Sequence, residues 1–166
     1  MDERLTKRSK SNMASNPSHF CRVVRMGRMA EVEEILKRQP DVIDSPDDPC
    51  GYTPLHYAAS RGHTSIAELL IRAGSRSLDA PSRNGSCPLH LAASAGHKSM
   101  VKLLIQSGSQ SLDTPGKNGR TPLHYAAEKG HKSVVSVLLQ FGSQSLDSPD
   151  KNGKTPSQYT ATLKQL

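Results

Sequence analysis

Residues 53–59 read Thr-Pro-Leu-His-Tyr-Ala-Ala, and this stretch decides how the rest of the chain is interpreted. Close copies begin at residues 87 and 121, and a decayed copy begins at residue 155, so the spacing is a constant 34 residues. The pair Gly-His follows the first three copies, with its glycine at positions 62, 96 and 130. Self-similarity at a fixed period of this length is the signature of a repeat architecture, in which each copy is one small structural unit.

A degenerate copy precedes the clear ones. Its first segment, residues 18–27, aligns with the first clear copy without a gap and places Phe20 where that copy has Leu. In its second segment, Val32, Ile35 and Leu36 are spaced to lie on one face of a helix. We therefore expect an N-terminal repeat that caps the stack.

The copies divide the chain into a predicted set of units. Residues 1–17 are polar, show no periodicity and are expected to be disordered. The rest is expected to form one repeat domain, composed of the cap repeat 18–50, the full repeats 51–84, 85–118 and 119–152, and the C-terminal half repeat or cap 153–166. The last unit stops after its first helical segment, which fits either a short cap or a piece of a longer protein.

Each full copy predicts two short helices. Thr53 stands at an N-cap position, where its hydroxyl accepts a bond from an unpaired backbone N–H, and a proline follows where no N–H is needed. Gly62 is expected to end this helix in the left-handed conformation. In the second helix, Ile66, Leu69 and Leu70 lie on one face, which predicts that this face is buried.

The segment between copies is predicted to form an extended finger. Its tip carries an Asn-Gly pair, beginning at residues 84, 118 and 152, which predicts a tight hairpin turn. An aspartate before each proline is predicted to bond local backbone in a turn. These aspartates are Asp44, Asp79, Asp113 and Asp147. The one apolar anchor of each finger is predicted to be Ile43, Leu78, Leu112 or Leu146.

The recurring motif Thr-Pro-Leu-His-x-Ala-Ala, followed by Gly-His and an apolar helix, resembles the ankyrin repeat family over about residues 19–166. The resemblance implies an all-α ankyrin-repeat solenoid of stacked helix-turn-helix units with β-hairpin or loop fingers. It also implies that the histidine of the motif bonds backbone in the adjoining loop. The implied function is that of a non-catalytic scaffold or adaptor that binds another protein.

The composition argues against several other classes of protein. No stretch of about 18 apolar residues occurs, so no membrane span is expected. The three cysteines are far apart, which predicts free thiols in a reducing compartment, in the cytoplasm or the nucleus. No nucleophile–base–acid set emerges, and the repeated histidines have no recurring carboxylate or cysteine beside them. We therefore expect no enzyme, no catalytic residue, no metal and no cofactor, with a monomer as the default state.

The net charge of +7 arises in the body of the protein, because residues 51–166 carry 13 Lys/Arg against 6 Asp/Glu. In ankyrin proteins the positions around each Asn-Gly, and the pair before each Gly-His, commonly contact partners. The resemblance therefore implies that role for the matching residues of this chain. They are Tyr52, Ser60, Arg61, Arg83, Asn84, Ser86, Ser94, Lys117, Asn118, Arg120, Glu128, Lys129, Lys151, Asn152 and Lys154.

Basic side chains dominate this set and predict a basic ridge along the fingers. Such a ridge favours an acidic protein surface or peptide as the partner, reached through the finger tips and the concave first-helix surface. A regulatory inhibitor that clamps one enzyme, such as a kinase, is an alternative. Binding of nucleic acid is another, although the finger tips lack the aromatic side chains on which bases stack. The charges could also serve solubility alone.

Overall fold

The computed structural model describes residues 17–47 and 49–163, with side chains up to residue 160. The tail predicted over residues 1–17 lies outside these residues, except for Pro17, which begins the first helix. Two 3₁₀ turns, Pro40–Asp44 and Ser145–Asp147, precede fingers. The α-helices of the described chain are α1 (Pro17–Arg25), α2 (Met29–Arg38), α3 (Pro54–Arg61), α4 (Thr64–Arg72), α5 (Pro88–Ala95), α6 (Lys98–Gln106), α7 (Pro122–Glu128), α8 (Lys132–Gln140) and α9 (Pro156–Leu163).

The helices form two layers. The first helices α1, α3, α5, α7 and α9 contact one another in order, and the second helices α2, α4, α6 and α8 do the same. Leu55, Leu89 and Leu123 are fully buried between the layers, beside alanines that let neighbouring helices approach closely. No strand occurs among the described residues. The predicted all-α stack of helix-turn-helix units is confirmed.

The predicted N-caps are confirmed, and each includes the histidine of its motif. The Thr53 hydroxyl accepts from the backbone N–H of His56, while the Thr53 N–H donates to His56 Nδ1 at 3.2 Å. Thr121 makes the same pair of bonds. Cys87 replaces threonine in the middle repeat, yet its sulfur accepts in the same way and its N–H donates to His90 Nδ1 at 3.1 Å.

The glycines of the Gly-His pairs have the predicted left-handed conformation, with φ of 70° at Gly62 and 77° at Gly96. They also contact the next repeat. A Cβ added at Gly62 would lie 2.7 Å from His97 Nδ1, and one at Gly96 would lie 2.7 Å from His131 Nδ1. The motif therefore combines a helix end with a flat surface on which the next imidazole packs.

Three of the four aspartates before proline bond the following repeat and, among the described residues, no local backbone, so that prediction was wrong for them. Asp44 accepts from the Ser75 hydroxyl at 2.6 Å and from the Arg76 N–H at 2.8 Å, both in the following repeat. Asp79 and Asp113 accept from the equivalent groups one repeat further along. The reason is that the segment after each second helix runs beside the next repeat, whose N–H groups there have no helical partner.

The finger tips also differ from the prediction in their turn. The Gly85 N–H donates to the Ser82 carbonyl at 2.8 Å, so Arg83 and Asn84 are the central residues. Asn84 has no positive φ, whereas Gly85 has a φ of 69°. The Ser82 N–H then donates to the Ser86 carbonyl at 3.0 Å. This is a three-residue loop closed by a left-handed glycine, not a two-residue Asn-Gly turn.

Candidate partner-binding surface

The central residues of each finger turn point their side chains into solvent. In the three fingers that carry Asn-Gly they are exposed and pair a cation with an asparagine. Since the turn residues are shaped by backbone bonds, their side chains are free to vary. The six residues are Arg83 and Asn84, Lys117 and Asn118, and Lys151 and Asn152.

Backbone bonds between fingers hold these tips in a continuous row. The Arg83 N–H donates to the Cys50 carbonyl at 2.8 Å, and the Lys117 N–H donates to the Asn84 carbonyl at 2.9 Å. The Lys151 N–H donates to the Asn118 carbonyl at 3.0 Å. Each tip is therefore fixed to its neighbour, which places one cation per repeat at equivalent positions. Arg83, Lys117 and Lys151 are named the finger-tip row below.

The predicted residues on the first helices differ in how far their side chains are exposed. Arg61 and Lys129 are exposed, while Ser60 and Ser94 are half-buried and use their carbonyls within the stack. The Ser60 carbonyl accepts from His97 Nε2 at 3.2 Å, and the Ser94 carbonyl accepts from the equivalent histidine at 3.1 Å. Two of these four residues therefore help to join repeats.

Tyr52 and Ser86 follow the first two finger regions and lie next to the motif histidine of α3. The ring of Tyr52 stacks on His56 with centroids 5.3 Å apart, and its edge meets Tyr57 at 5.7 Å. The Ser86 carbonyl accepts from His56 Nε2 at 3.0 Å. Both residues are half-buried, so each presents only part of its surface.

Arg120 differs from the other cations because it is held inside the protein. Its side chain is 18% exposed and donates to Asp150 at 3.0 Å, to Glu128 at 2.8 Å and to the Tyr159 hydroxyl at 3.1 Å. The Lys154 N–H, and after it Arg120, holds the pKa of Asp150 below its ordinary value although burial opposes this. The charges of Arg120 and Glu128 are thus compensated internally, whereas Lys154 is exposed 5.7 Å from the ring of Tyr159.

The motif histidines make the backbone bonds that the resemblance implied in two repeats of three. His56 donates to the Ser86 carbonyl, and His124 donates to the Lys154 carbonyl at 3.2 Å. His90 Nε2 is buried and lies against the backbone of Thr114 and Arg120, the counterparts of Ser148 and Lys154 beside His124, but makes no hydrogen bond of ordinary geometry there. Burial lowers the pKa of His90 to about 4, so its ring is neutral at pH 7.

Two exposed arginines are not among the predicted site residues. Arg22 and Arg25 are exposed on α1 and line a pocket with Ser18, His19 and Asp47. A signal was present for Arg25, since the gapless alignment of the degenerate copy puts it at the position of Ser60, the first residue of the pair before Gly-His that was predicted to contact a partner in the full repeats. The predicted site residues did not extend to the degenerate copy.

Other kinds of site find little support in the described chain. Among residues 17–47 and 49–163, no group of three His, Cys, Asp or Glu side chains is arranged to hold a metal ion. The three cysteines form no disulfide, with Cys21 and Cys87 buried and Cys50 exposed. Within the same residues, no helix has both the length and the apolar character needed to cross a membrane.

Comparison with known proteins agrees with the repeat pattern. A family model described as ankyrin repeats (3 copies) matches residues 20–114 and 108–166. One relative, ankyrin repeat domain-containing protein 49 of Drosophila melanogaster, is 34% identical over 70 residues. That alignment covers 42% of this chain and 32% of the relative, so about a third of the relative's length is matched.

Proposed function

The chain belongs to the ankyrin repeat family, and from this premise we propose that it is a non-catalytic scaffold that binds an acidic partner protein through its finger tips and first-helix surface. Ankyrin repeats are generally protein–protein interaction modules. The family is typically non-catalytic. The surface of this particular chain supplies the argument for the character of the partner.

The observation that carries the proposal is the finger-tip row. Its three cations are exposed, occupy equivalent positions one repeat apart, and form no ion pair with any described residue. A row of like charges contributes nothing favourable to folding, because the charges repel one another. The row is therefore best explained by attraction to an acidic surface, for which it is already rigidly spaced by backbone bonds.

If the finger-tip row attracts an acidic partner, binding should depend on the salt concentration, which a role in solubility alone does not require. Exposed charges across an interface act mainly on the rate of association, and their effect is screened over about 8 Å at physiological ionic strength. Binding that depends on the row should therefore weaken as salt is raised, chiefly through slower association. A chain whose lysines only confer solubility would show no such dependence.

The test uses the full chain as bait in a cell lysate, beside a variant with Arg83→Glu, Lys117→Glu and Lys151→Glu. Arg120 is left unchanged because its bonds are internal. A matched control carries Lys37→Glu, Lys98→Glu and Lys132→Glu, which makes the same change of charge at exposed positions of the second helices. Retained proteins are identified by mass spectrometry, with and without nuclease.

We expect a protein that the native chain and the control retain, that the finger variant loses, and that nuclease does not remove. With that protein purified, the finger variant should bind at least about ten-fold more weakly at 0.15 M salt. Equal retention by the finger variant and the native chain would contradict the proposal. Loss of all binding on nuclease treatment would show that the row recognises nucleic acid instead.

A further inference from the structure

We infer that the pocket on α1 is a second recognition point, an oxyanion subsite that receives the carboxylate or phosphoryl group of an acidic side chain of the partner. The pocket measures about 240 Å³ and is lined by Ser18, His19, Arg22 and Arg25 from α1, with Asp47. This set is named the α1 pocket. The inference rests on the proposed function, because it assigns part of the same partner to this end of the stack.

The two arginines of the α1 pocket are not needed for the stack. Residues Phe20, Val23 and Val24 supply the buried face of α1, and Arg22 and Arg25 are exposed. The position of Arg22 is Tyr or Leu in every other copy. The position of Arg25 is Ser, Ser and Glu in the three full repeats. The basic pair therefore belongs to α1 alone and follows no packing rule of the repeat.

The positive charges of Arg22 and Arg25 lie three residues apart on α1. Like charges three residues apart on a helix repel each other and slightly destabilise it. Neither Arg22 nor Arg25 forms an ion pair with another described residue. Two arginines and one aspartate line the concavity, so its arginines and aspartate together carry a net positive charge, and charges gathered in a concavity attract anions more strongly than scattered surface cations do.

Both arginine side chains are oriented by contacts with neighbouring rings. The Arg22 guanidinium lies 2.9 Å from His19 Nδ1, and since a guanidinium only donates, that nitrogen must accept. His19 Nε2 then carries the proton and faces Glu31 at 3.4 Å. Arg22 is therefore attached to a ring that is itself held in place, which leaves its other N–H groups for a ligand.

Arg25 is held by a different contact. Its guanidinium carbon lies 6.0 Å from the centroid of the Tyr57 ring on the neighbouring helix α3. The Tyr57 hydroxyl donates to Asp47 Oδ1 at 2.9 Å, which links the ring to another residue that lines the pocket. An arginine already packed on a ring loses less side-chain freedom when it binds an anion, so the α1 pocket is partly preorganised.

The ligand class follows from these donors. Arginine presents paired N–H groups that match the two oxygens of a carboxylate or a phosphoryl group. Asp47 carries the opposite charge on one wall, so an anion is expected to approach Arg22 and Arg25 from the side away from it. Removal of the Asp47 charge should therefore tighten binding, and removal of the arginine charges should weaken it.

The experiment is an NMR titration of the full chain, observing the side-chain Nε–Hε groups of arginine. The probes are the peptide acetyl-Gly-Glu-Glu-Gly-amide, its Gln-Gln counterpart, and a counterpart with phosphoserine in place of the first Glu. We expect the Glu or the phosphoserine peptide to shift Arg22 and Arg25 saturably, and the Gln-Gln peptide to leave them unchanged. Whichever of the two binds more tightly identifies the source of the oxyanion.

Substitutions in the α1 pocket should change the affinity for the peptide in opposite directions, depending on the charge that is removed. Arg22→Gln with Arg25→Gln should weaken the peptide at least about five-fold, while Asp47→Asn should tighten it about two-fold. The control Lys98→Gln with Lys132→Gln should bind as the native chain does. If no anionic peptide shifts Arg22 and Arg25, or if Asp47→Asn weakens binding, the α1 pocket is not an oxyanion subsite.

Failure here is distinguishable from failure of the proposed function. With the purified partner, the arginine variant should lose about five-fold in affinity independently of the finger variant. If the arginine variant binds the partner as the native chain does while the finger variant does not, the subsite is overturned and the scaffold function stands. If the finger variant binds as the native chain does, the function assigned to the finger-tip row is itself wrong.

Discussion

At the scale of single residues, His56, His90 and His124 occupy equivalent positions in unequal environments. All three accept from the backbone N–H of their own N-cap through Nδ1, which leaves the proton on Nε2. His56 and His124 bond a carbonyl through that proton, whereas the buried His90 Nε2 lies against the backbone of Thr114 and Arg120 without a hydrogen bond of ordinary geometry. The hydrogen bond of the motif histidine is therefore less well formed in the middle repeat than in the other two.

The first prediction is that His90 makes stability depend on pH. Its pKa falls from 6.5 to about 4 on folding, so the unfolded chain binds more protons between these values. The stability that the neutral ring contributes is complete above pH 6.5 and is lost as the pH falls towards 4, by up to about 3 kcal/mol. Urea unfolding at about pH 7 and about pH 4.5 measures it.

His90→Gln is the matched variant for this prediction. Gln158 occupies the same position in the last copy and accepts from the Thr155 N–H at 3.2 Å, so glutamine preserves the cap. The variant should lose less stability on acidification than the native chain does. An equal loss in both proteins would assign the pH dependence to other groups, such as His124, whose pKa burial also lowers.

A second residue-scale prediction separates two roles of glycine. Gly96 and Gly108 both have positive φ, of 77° and 94°, but only Gly96 has a neighbour in the way of a Cβ, which is His131. Gly108→Ala should cost about 1 kcal/mol from backbone strain alone. Gly96→Ala should cost at least about 1 kcal/mol more, because the imidazole must move. Equal unfolding midpoints in urea would show that the imidazole contact is unimportant.

At the scale of elements, the segments after α2, α4 and α6 each clamp the next repeat through an aspartate. Asp79 accepts from the Ser109 hydroxyl at 2.6 Å and from the N–H groups of Gln110 and Ser111. Burial raises the pKa of Asp79, but these bonds outweigh it and the net pKa is lowered. Asp147 occupies the same sequence position and is exposed, without such a bond in the described residues.

The third prediction uses this difference. Asp79→Asn should lower the free energy of unfolding by about 1–2 kcal/mol, because it weakens charge-assisted bonds between repeats. Asp147→Asn should change it by less than about 0.5 kcal/mol. Because the lowered pKa makes Asp79 stabilising above pH 3.8 and progressively less so below it, the difference between the two variants should shrink in strong acid. Similar unfolding curves at neutral pH would contradict the clamp.

At the scale of the whole molecule, stability depends on contacts between neighbours, and an end repeat has one neighbour only. Helix α9 packs on α7, and Arg120 reinforces that contact by joining Glu128 at the end of α7, Asp150 in the next finger and the Tyr159 hydroxyl. This end of the described stack therefore depends strongly on one polar side chain.

The fourth prediction is that Arg120→Gln loosens this end selectively. The amides of α9 should exchange with solvent about ten-fold faster or more, since the lost bonds to charged groups are worth about 1.5 kcal/mol or more. Amides of α3 and α5 should be unaffected. Lys117→Gln is the control, because Lys117 is exposed. Uniformly faster exchange along the stack would show that Arg120 supports the whole protein and not its end alone.

The sequence by itself determined the period, the caps, the left-handed glycines and the apolar stripes. Thr53, Gly62 and Leu70 could be assigned because helix signals involve residues no more than a few positions apart. The finger anchors, such as Leu78, were assigned correctly as well and are half-buried against the core. The partner-binding role of the finger-tip row stays a prediction.

Only the tertiary structure decided which polar groups meet. Asp79 reaches Ser109, 30 residues away, and Arg120 reaches Asp150 across the same distance in sequence. Arg22 and Arg25 became a candidate site only when α1 was placed beside Tyr57. Stacked repeats bring together atoms that are about one period apart in the sequence. Ion pairs and hydrogen bonds depend on distances of a few ångström between those atoms, which the spacing of residues does not specify.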